Sequence, residues 1–264
     1  MKIAIIGTGN LGSSIAKGLI KNKTFTSLYL SDKNTAAVNV FSDEDYVTIT
    51  SDNVLTVQES DIVIFALQPR HIDKVLESVS SSITEDHVIM SVAAGFEISK
   101  IESIIGSDRN IIRVMPNTAI SIGKSMTCLA ANEKGQSKMG LAKKIFNQLG
   151  TTMVIPEEQI QAATVICASG IAFWMRLVRA TTQGAIQLGF EADVAHELAV
   201  QTCFGSASLL IESGRHPEQE IDRVTTPSGC TIQGLNAMEH QGLSSALIQG
   251  IVASFEKINQ LKQT

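Results

Sequence analysis

Residues 2–12 read KIAIIGTGNLG. After Lys2 the run to Ile6 is wholly apolar, which predicts a strand covered on both faces. The next six residues, Gly7-Thr8-Gly9-Asn10-Leu11-Gly12, match GxGxxG directly behind that strand. Beyond them Leu11, Ile15 and Leu19 recur every four residues and place an apolar stripe on a helix. In this setting Gly7 permits a tight turn, Gly9 lets backbone approach a pyrophosphate, and Gly12 lets helix and strand pack closely. The amino terminus of the helix then faces the anion. The stretch therefore predicts a dinucleotide-binding turn.

Working outward, SLYLS at 27–31, DIVIFA at 61–66, HVIMSV at 87–92 and NIIRVM at 110–115 have the same doubly buried texture. MTCLAA at 126–131 and TTMVI at 151–155 read as later strands, with a helix from about Gln136 to Leu149 between them. Alternation of strands and amphipathic segments predicts a parallel, doubly wound sheet. After Pro156 the spacing becomes helical over 157–188, 191–213 and 231–261, with breaks at Gly189, at SGRHP (213–217) and at TPSG (226–229). A chain of 264 residues suits two domains. The expected fold is α/β: a Rossmann domain over 1–156 and an all-helical carboxyl-terminal domain over 157–264.

The second part of a dinucleotide fingerprint is an acid ending the next strand, and Asp32 lies 20 residues beyond Gly12. An acid there accepts from ribose hydroxyls and favours NAD, whereas the adjacent Lys33 offers a cation to the 2′-phosphate of NADP, so both cofactors stay open. FALQP at 65–69 and SVAAG at 91–95 run off the carboxyl ends of strands, the edge where such sheets bind ligands. Ala66, Leu67, Gln68, Pro69, Ala93 and Ala94 are accordingly candidates to line the cofactor.

A net charge of −5 gives no basic field for nucleic acid, and 44% hydrophobic with 18% charged residues is ordinary for a soluble globular protein. The chain enters its first strand without an apolar leader, so a cytoplasmic protein is expected. Its longest uncharged apolar-rich run, Ala162 to Met175, has 14 residues and falls short of the ~20 that span a bilayer. A core helix is expected there, with Trp174 packed inside it and no membrane partner. Cys128, Cys167, Cys203 and Cys230 form no CxxC pair, and the five histidines show no ligand spacing, so reduced thiols and no metal are expected.

Near the carboxyl end, TTPSGCTIQGLNAME at 225–239 breaks the backbone and starts a helix. Free N–H groups at such a start make an anion site suited to a small carboxylate, and the hydroxyl of Thr231 can donate or accept beside a ring nitrogen. From these residues alone a plain capped helix after a proline turn is the preferred reading. The chain as a whole, however, resembles pyrroline-5-carboxylate reductase through IIGTGNLG, DIVIFALQP, SVAAG, RVMPNT, ASGIAF and HPEQEIDRVTTPSGCTIQGLNAME. That resemblance implies reduction of 1-pyrroline-5-carboxylate to L-proline by NAD(P)H, NADPH slightly favoured, and a homodimer formed through the helical domain, with higher assemblies. It implies that Thr231 approaches the imine nitrogen and that Ser228, Gly229, Cys230 and Thr231 form the carboxylate-binding turn. It also places Asn10, Asn53 and Asn117 among the cofactor contacts.

Four positions depart from the family pattern. Ser228 replaces the first glycine of a Gly-Gly pair, Cys230 a threonine or alanine, Gln68 a lysine, and Ala168-Ser169-Gly170-Ile171 a Ser-Gly-Ser-Gly-Pro-like run. If residue 228 takes positive φ, serine costs on the order of 1–2 kcal/mol. These changes keep two alternatives in view: a reductase of another cyclic imine or of a β-hydroxy acid, and a catalytically impaired NAD(P)-binding homologue. The β-hydroxy acid enzymes rely on a lysine in the long helix, where 157–188 holds only Arg176 and Arg179 as cations.

Overall fold

The computed structural model describes residues 1–23 and 25–262. Its strands are β1 (Lys2–Ile6), β2 (Ser27–Ser31), β3 (Val47–Thr50), β4 (Ile62–Phe65), β5 (Val88–Ser91), β6 (Asn110–Met115), β7 (Ser125–Ala131) and β8 (Gly150–Val154). They form one eight-stranded sheet in the order β3-β2-β1-β4-β5-β6-β7-β8. Between them run α1 (Asn10–Asn22), α2 (Asn53–Gln58), α3 (Pro69–Val79), α4 (Ile98–Ile105) and α5 (Met139–Phe146).

Alternation within the strands builds two cores. Ile3, Ile5, Leu28, Leu30, Ile62 and Ile64 face Ile15 and Leu19 of α1 and Ile145 and Phe146 of α5. Ala4, Ile6, Val63 and Phe65 face Ile72 and Leu76 of α3 and Ile98 and Ile101 of α4. Each fully buried Ile, Leu or Phe contributes about 1.5–3 kcal/mol, which makes the sheet a rigid platform.

The sheet is not wholly parallel as expected. β6 and β7 pair antiparallel, with Ile112 opposite Ala131, while β7 and β8 are parallel. The link from β6 to β7 is residues 116–124 with a 3₁₀ turn at Thr118–Ile122, too short for a crossover helix, so the chain folds straight back. β3 escaped the sequence reading because it is the edge strand and only half-buried, with no continuous apolar run. The expected Gln136–Leu149 helix is α-helical only over α5, preceded by a 3₁₀ turn at Gly135–Lys138.

The chain divides into two compact units, Met1–Ala168 with the segment from Lys257, and Ser169–Glu256. The first unit adds α6 (Ile160–Ala163) and all but the last residue of a π-helical turn at Thr164–Ser169. The second is helical: α7 (Gly170–Gln187), α8 (Ala192–Ser213), α9 (Pro217–Val224), α10 (Cys230–His240) and most of α11 (Leu243–Lys262). α9 lies where the sequence showed only a break, because His216 ends the SGRHP turn as an N-cap. Its Nδ1 accepts from Glu218 N at 3.3 Å, and Gln219 Oε1 accepts from His216 N at 3.3 Å, completing a capping box ahead of Pro217. The helical stretch expected over 231–261 is two helices, parted at Gly242 with φ 79°.

The 162–175 run is not a core helix within this single chain. Ile166, Trp174 and Met175 are 54%, 60% and 64% exposed. The 14-residue run lies inside a longer helical stretch, as the expected 157–188 helix implied, and Arg176 and Arg179 do not interrupt it. Glu157–Gln187 is one helical stretch, and both it and α8 are long and apolar enough to cross a membrane by length and composition.

Candidate cofactor cleft and substrate turn

β1 sits between β2 and β4, so the chain order reverses at its carboxyl end, the place where open α/β sheets hold ligands. Here the turn into α1 is built as the motif requires. Gly7 holds φ 97°, and a Cβ on it would meet Ala66 O at 2.5 Å. A Cβ on Gly12 would strike the carbonyl of Gly7. Gly9 is different: a Cβ there would meet nothing within 4 Å, so its surface faces open space. Thr8 is buried, and its Oγ1 has no partner. A close backbone approach at Gly9 and an orphan hydroxyl beside it fit a phosphate-bearing cofactor, with the N–H groups of α1 as the anion-binding end.

The turn opens into a cleft of about 420 Å³. Of the residues expected to touch cofactor, Gly7, Gly9, Asp32, Lys33, Asn53, Ala66, Leu67 and Gln68 line it. Ser31 donates from Oγ to Asn53 Oδ1 at 2.6 Å, which leaves the amide of Asn53 to donate elsewhere. Asp32 Oδ2 accepts from Thr8 N at 2.6 Å, and its Oδ1 accepts from Asn34 N at 2.9 Å. Ser51, Arg70, His71 and Lys74 line the same cleft and were absent from the sequence reading. No motif marks them; Ser51 arrives at the end of β3, and Arg70, His71 and Lys74 arrive because β4 pairs with β1 and delivers the start of α3 beside the glycine turn.

Thr8, Asn10, Leu11, Gly12 and Pro69 lie in or next to the turns that frame the cleft without lining it. Ala93 is buried beyond the end of β5, and Ala94 is exposed next to Gly95, which holds φ 72°. Asn117 is buried and already engaged. Its Nδ2 donates to Cys167 O at 3.0 Å and its Oδ1 accepts from Ala119 N at 3.0 Å, tying the end of β6 to the π-helical turn.

Cys167 also meets Cys128 of β7. The Cys128 thiol donates to the Cys167 sulfur and holds Cys167 down to about 7, against the pull of burial. The same hydrogen bond, helped by burial, pushes Cys128 far up.

In the helical unit, Thr226-Pro227-Ser228-Gly229 forms the turn into α10. Ser228 adopts φ 58°, the left-handed conformation that the Gly-Gly pattern anticipates. Gly229 N donates to Thr226 O at 2.9 Å, and a Cβ at Gly229 would strike Thr226 Oγ1. Gly229 is the N-cap of α10, and no side chain caps that end. The first N–H groups of α10 are thus available to an anion. Thr231 is half-buried, and its hydroxyl bonds to none of the described residues.

A glycine turn of this geometry, at the switch point of a doubly wound sheet, defines a dinucleotide-binding protein of the Rossmann class. Comparison with known proteins narrows this. A family model described as pyrroline-5-carboxylate reductase dimerisation matches residues 157–261, and one described as NADP oxidoreductase coenzyme F420-dependent matches residues 2–95. Pyrroline-5-carboxylate reductase 1 of Dictyostelium discoideum is 45% identical over 98% of this chain, which spans 49% of that relative's length. Pyrroline-5-carboxylate reductase 2 of the same organism is 42% identical, with 97% of this chain and 91% of the relative covered. The solved structure of a pyrroline-5-carboxylate reductase from Coxiella burnetii superposes with a TM-score of 0.92 at 29% identity, over 99% of this chain and 98% of that one. The chain belongs to the pyrroline-5-carboxylate reductase family.

Proposed function

We propose that the chain reduces 1-pyrroline-5-carboxylate to L-proline, and that the uncapped entrance of α10 is where the substrate carboxylate binds. The observation that carries this reading is that no side chain caps α10, while Ser228 is held at φ 58° to shape the turn. Peptide N–H groups of Gly229, Cys230 and Thr231 are the expected donors to the carboxylate. The Gly7–Gly12 turn and α1 would hold the pyrophosphate, with Asp32 and Asn53 toward the adenosine ribose and Ala66 to Pro69, Ala93 and Ala94 along the cofactor. Bound NAD(P)H supplies the hydride that adds to C5 of the imine. The residues around it align the two partners and keep water out.

Thr231 has the remaining role. Its free hydroxyl accepts from the N–H of an imine that enters protonated, which needs no strong acid, and so fixes the face presented to the hydride. Replacing Thr231 by Ala should lower kcat/KM by about tenfold or more, equivalent to about 1.4 kcal/mol. Absorbance at 340 nm with pyrroline-5-carboxylate and each nicotinamide in turn tests both statements. Cofactor binding without substrate-dependent oxidation would instead favour the impaired homologue.

Assembly completes the reading. The carboxyl-terminal domain forms the homodimer, a reading supported by the dimerisation match to 157–261 and by the exposed Trp174, Phe204 and Ile211. A cytoplasmic setting suits the four cysteines, all free thiols.

A further inference from the structure

The cleft beside the glycine turn carries an excess of unpaired positive charge. Lys33 follows β2, and Arg70 and Lys74 rise from the first two turns of α3. Arg70 and Lys74 are four residues apart and so share one face of the helix. All three are exposed, and among the described residues none forms an ion pair or side-chain hydrogen bond. His71 lines the cleft alongside them. Among the described residues the sole carboxylate lining the cleft is that of Asp32, and each of its oxygens accepts a backbone N–H, from Thr8 at 2.6 Å and from Asn34 at 2.9 Å. Those two bonds hold the carboxylate against the glycine turn with acceptor sites to spare, and among the described residues it pairs with none of the three cations.

The position of these cations is informative. Asp32, Lys33, Ser51 and Asn53 bound the cleft at the ends of β2 and β3, the adenosine side of a Rossmann sheet. α3 bounds it from across β1. A cation pair facing that side meets the part of the cofactor that differs between the two nicotinamides. We infer that Arg70 and Lys74 of α3, with Lys33, bind the 2′-phosphate of NADPH and set the cofactor preference of this chain. Arginine offers a planar fork to phosphate oxygens, and lysine a point charge. This rests on reading the cleft as the dinucleotide site and adds which dinucleotide and by which residues.

The test is calorimetric titration of the whole protein with 2′,5′-ADP and with 5′-ADP, followed by 340 nm assays with NADPH and NADH. The wild type should bind 2′,5′-ADP at least about tenfold more tightly. Arg70→Ala and Lys74→Ala should each remove most of that margin and leave 5′-ADP affinity within about twofold, because both side chains are exposed and unpaired. The ratio of kcat/KM for NADPH over NADH should fall in step. Equal affinity of the wild type for the two nucleotides, or variants that weaken both alike, overturns the inference while the dinucleotide site stands. Failure of both nucleotides to bind overturns the site as well.

Discussion

Ser228 holds φ 58° where only glycine sits without strain. An L-residue in this region costs about 1–2 kcal/mol, of which a glycine would return part as unfolded-state freedom. Ser228→Gly should therefore stabilise the protein by about 0.5–1 kcal/mol and raise Tm by roughly 1–3 °C. A fall in Tm on thermal melting would show that the serine hydroxyl contributes more than its backbone costs. At Cys167 the sign is set by one hydrogen bond. Because the Cys128 thiol donates to it, Cys167 becomes thiolate near pH 7, below the ordinary ~8.5 of a free cysteine. Its alkylation rate should rise through a midpoint near pH 7. In Cys128→Ala, where the donor is gone and burial acts unopposed, the midpoint should move up to about 8.5 or beyond, read by mass-spectrometric labelling of the 167 peptide. Midpoints that coincide in the two proteins would remove Cys128 as the cause.

At the scale of elements, β6, α4 and the segment after β8 meet at one carboxylate. Glu157 Oε1 accepts from Arg113 Nη1 of β6 at 3.0 Å and from Ile98 N, the first residue of α4, at 2.7 Å. Arg113 is 4% exposed, so Glu157→Ala would leave a buried guanidinium without its counter-ion and an open helix end. A loss of about 2–3 kcal/mol is expected, seen as a lower urea midpoint at unchanged m-value. Glu157→Gln, which keeps an acceptor, should cost less. This joint was invisible in the sequence, since its partners are 44 and 59 residues apart. The strands themselves were legible wherever both faces are buried, as in β1, β4, β5 and β6, because continuous apolar runs have no other good use. β3 was not, being half-buried at the edge. The glycine turn announced itself by spacing, and the α10 entrance by family likeness. Arg70 and Lys74 carried no signal, since only the β1–β4 pairing brings α3 to the cleft.

At the scale of the whole molecule, the helical unit exposes what a sequence reading would bury. Along α8 only Ala195 and Ala199 are buried, while Phe204, Leu209 and Ile211 stand 60%, 57% and 81% exposed; Leu188, after α7, reaches 82%. Monomeric proteins rarely leave contiguous apolar patches above a few hundred Å², and stable homodimers bury about 2,000 Å² or more. The periodicity showed that these helices are apolar, but it could not say whether their cover lies in the same chain. A second copy is the cover that the dimerisation match supports. If so, folding and association are coupled, and Tm should rise with protein concentration. Phe204→Glu combined with Ile211→Glu places two charges in that cover. The pair should shift sedimentation from dimer or larger to monomer and abolish the concentration dependence of Tm. A wild-type protein that sediments as a fully active monomer at micromolar concentration would mean that the apolar faces of α7 and α8 meet something other than a second copy of this chain.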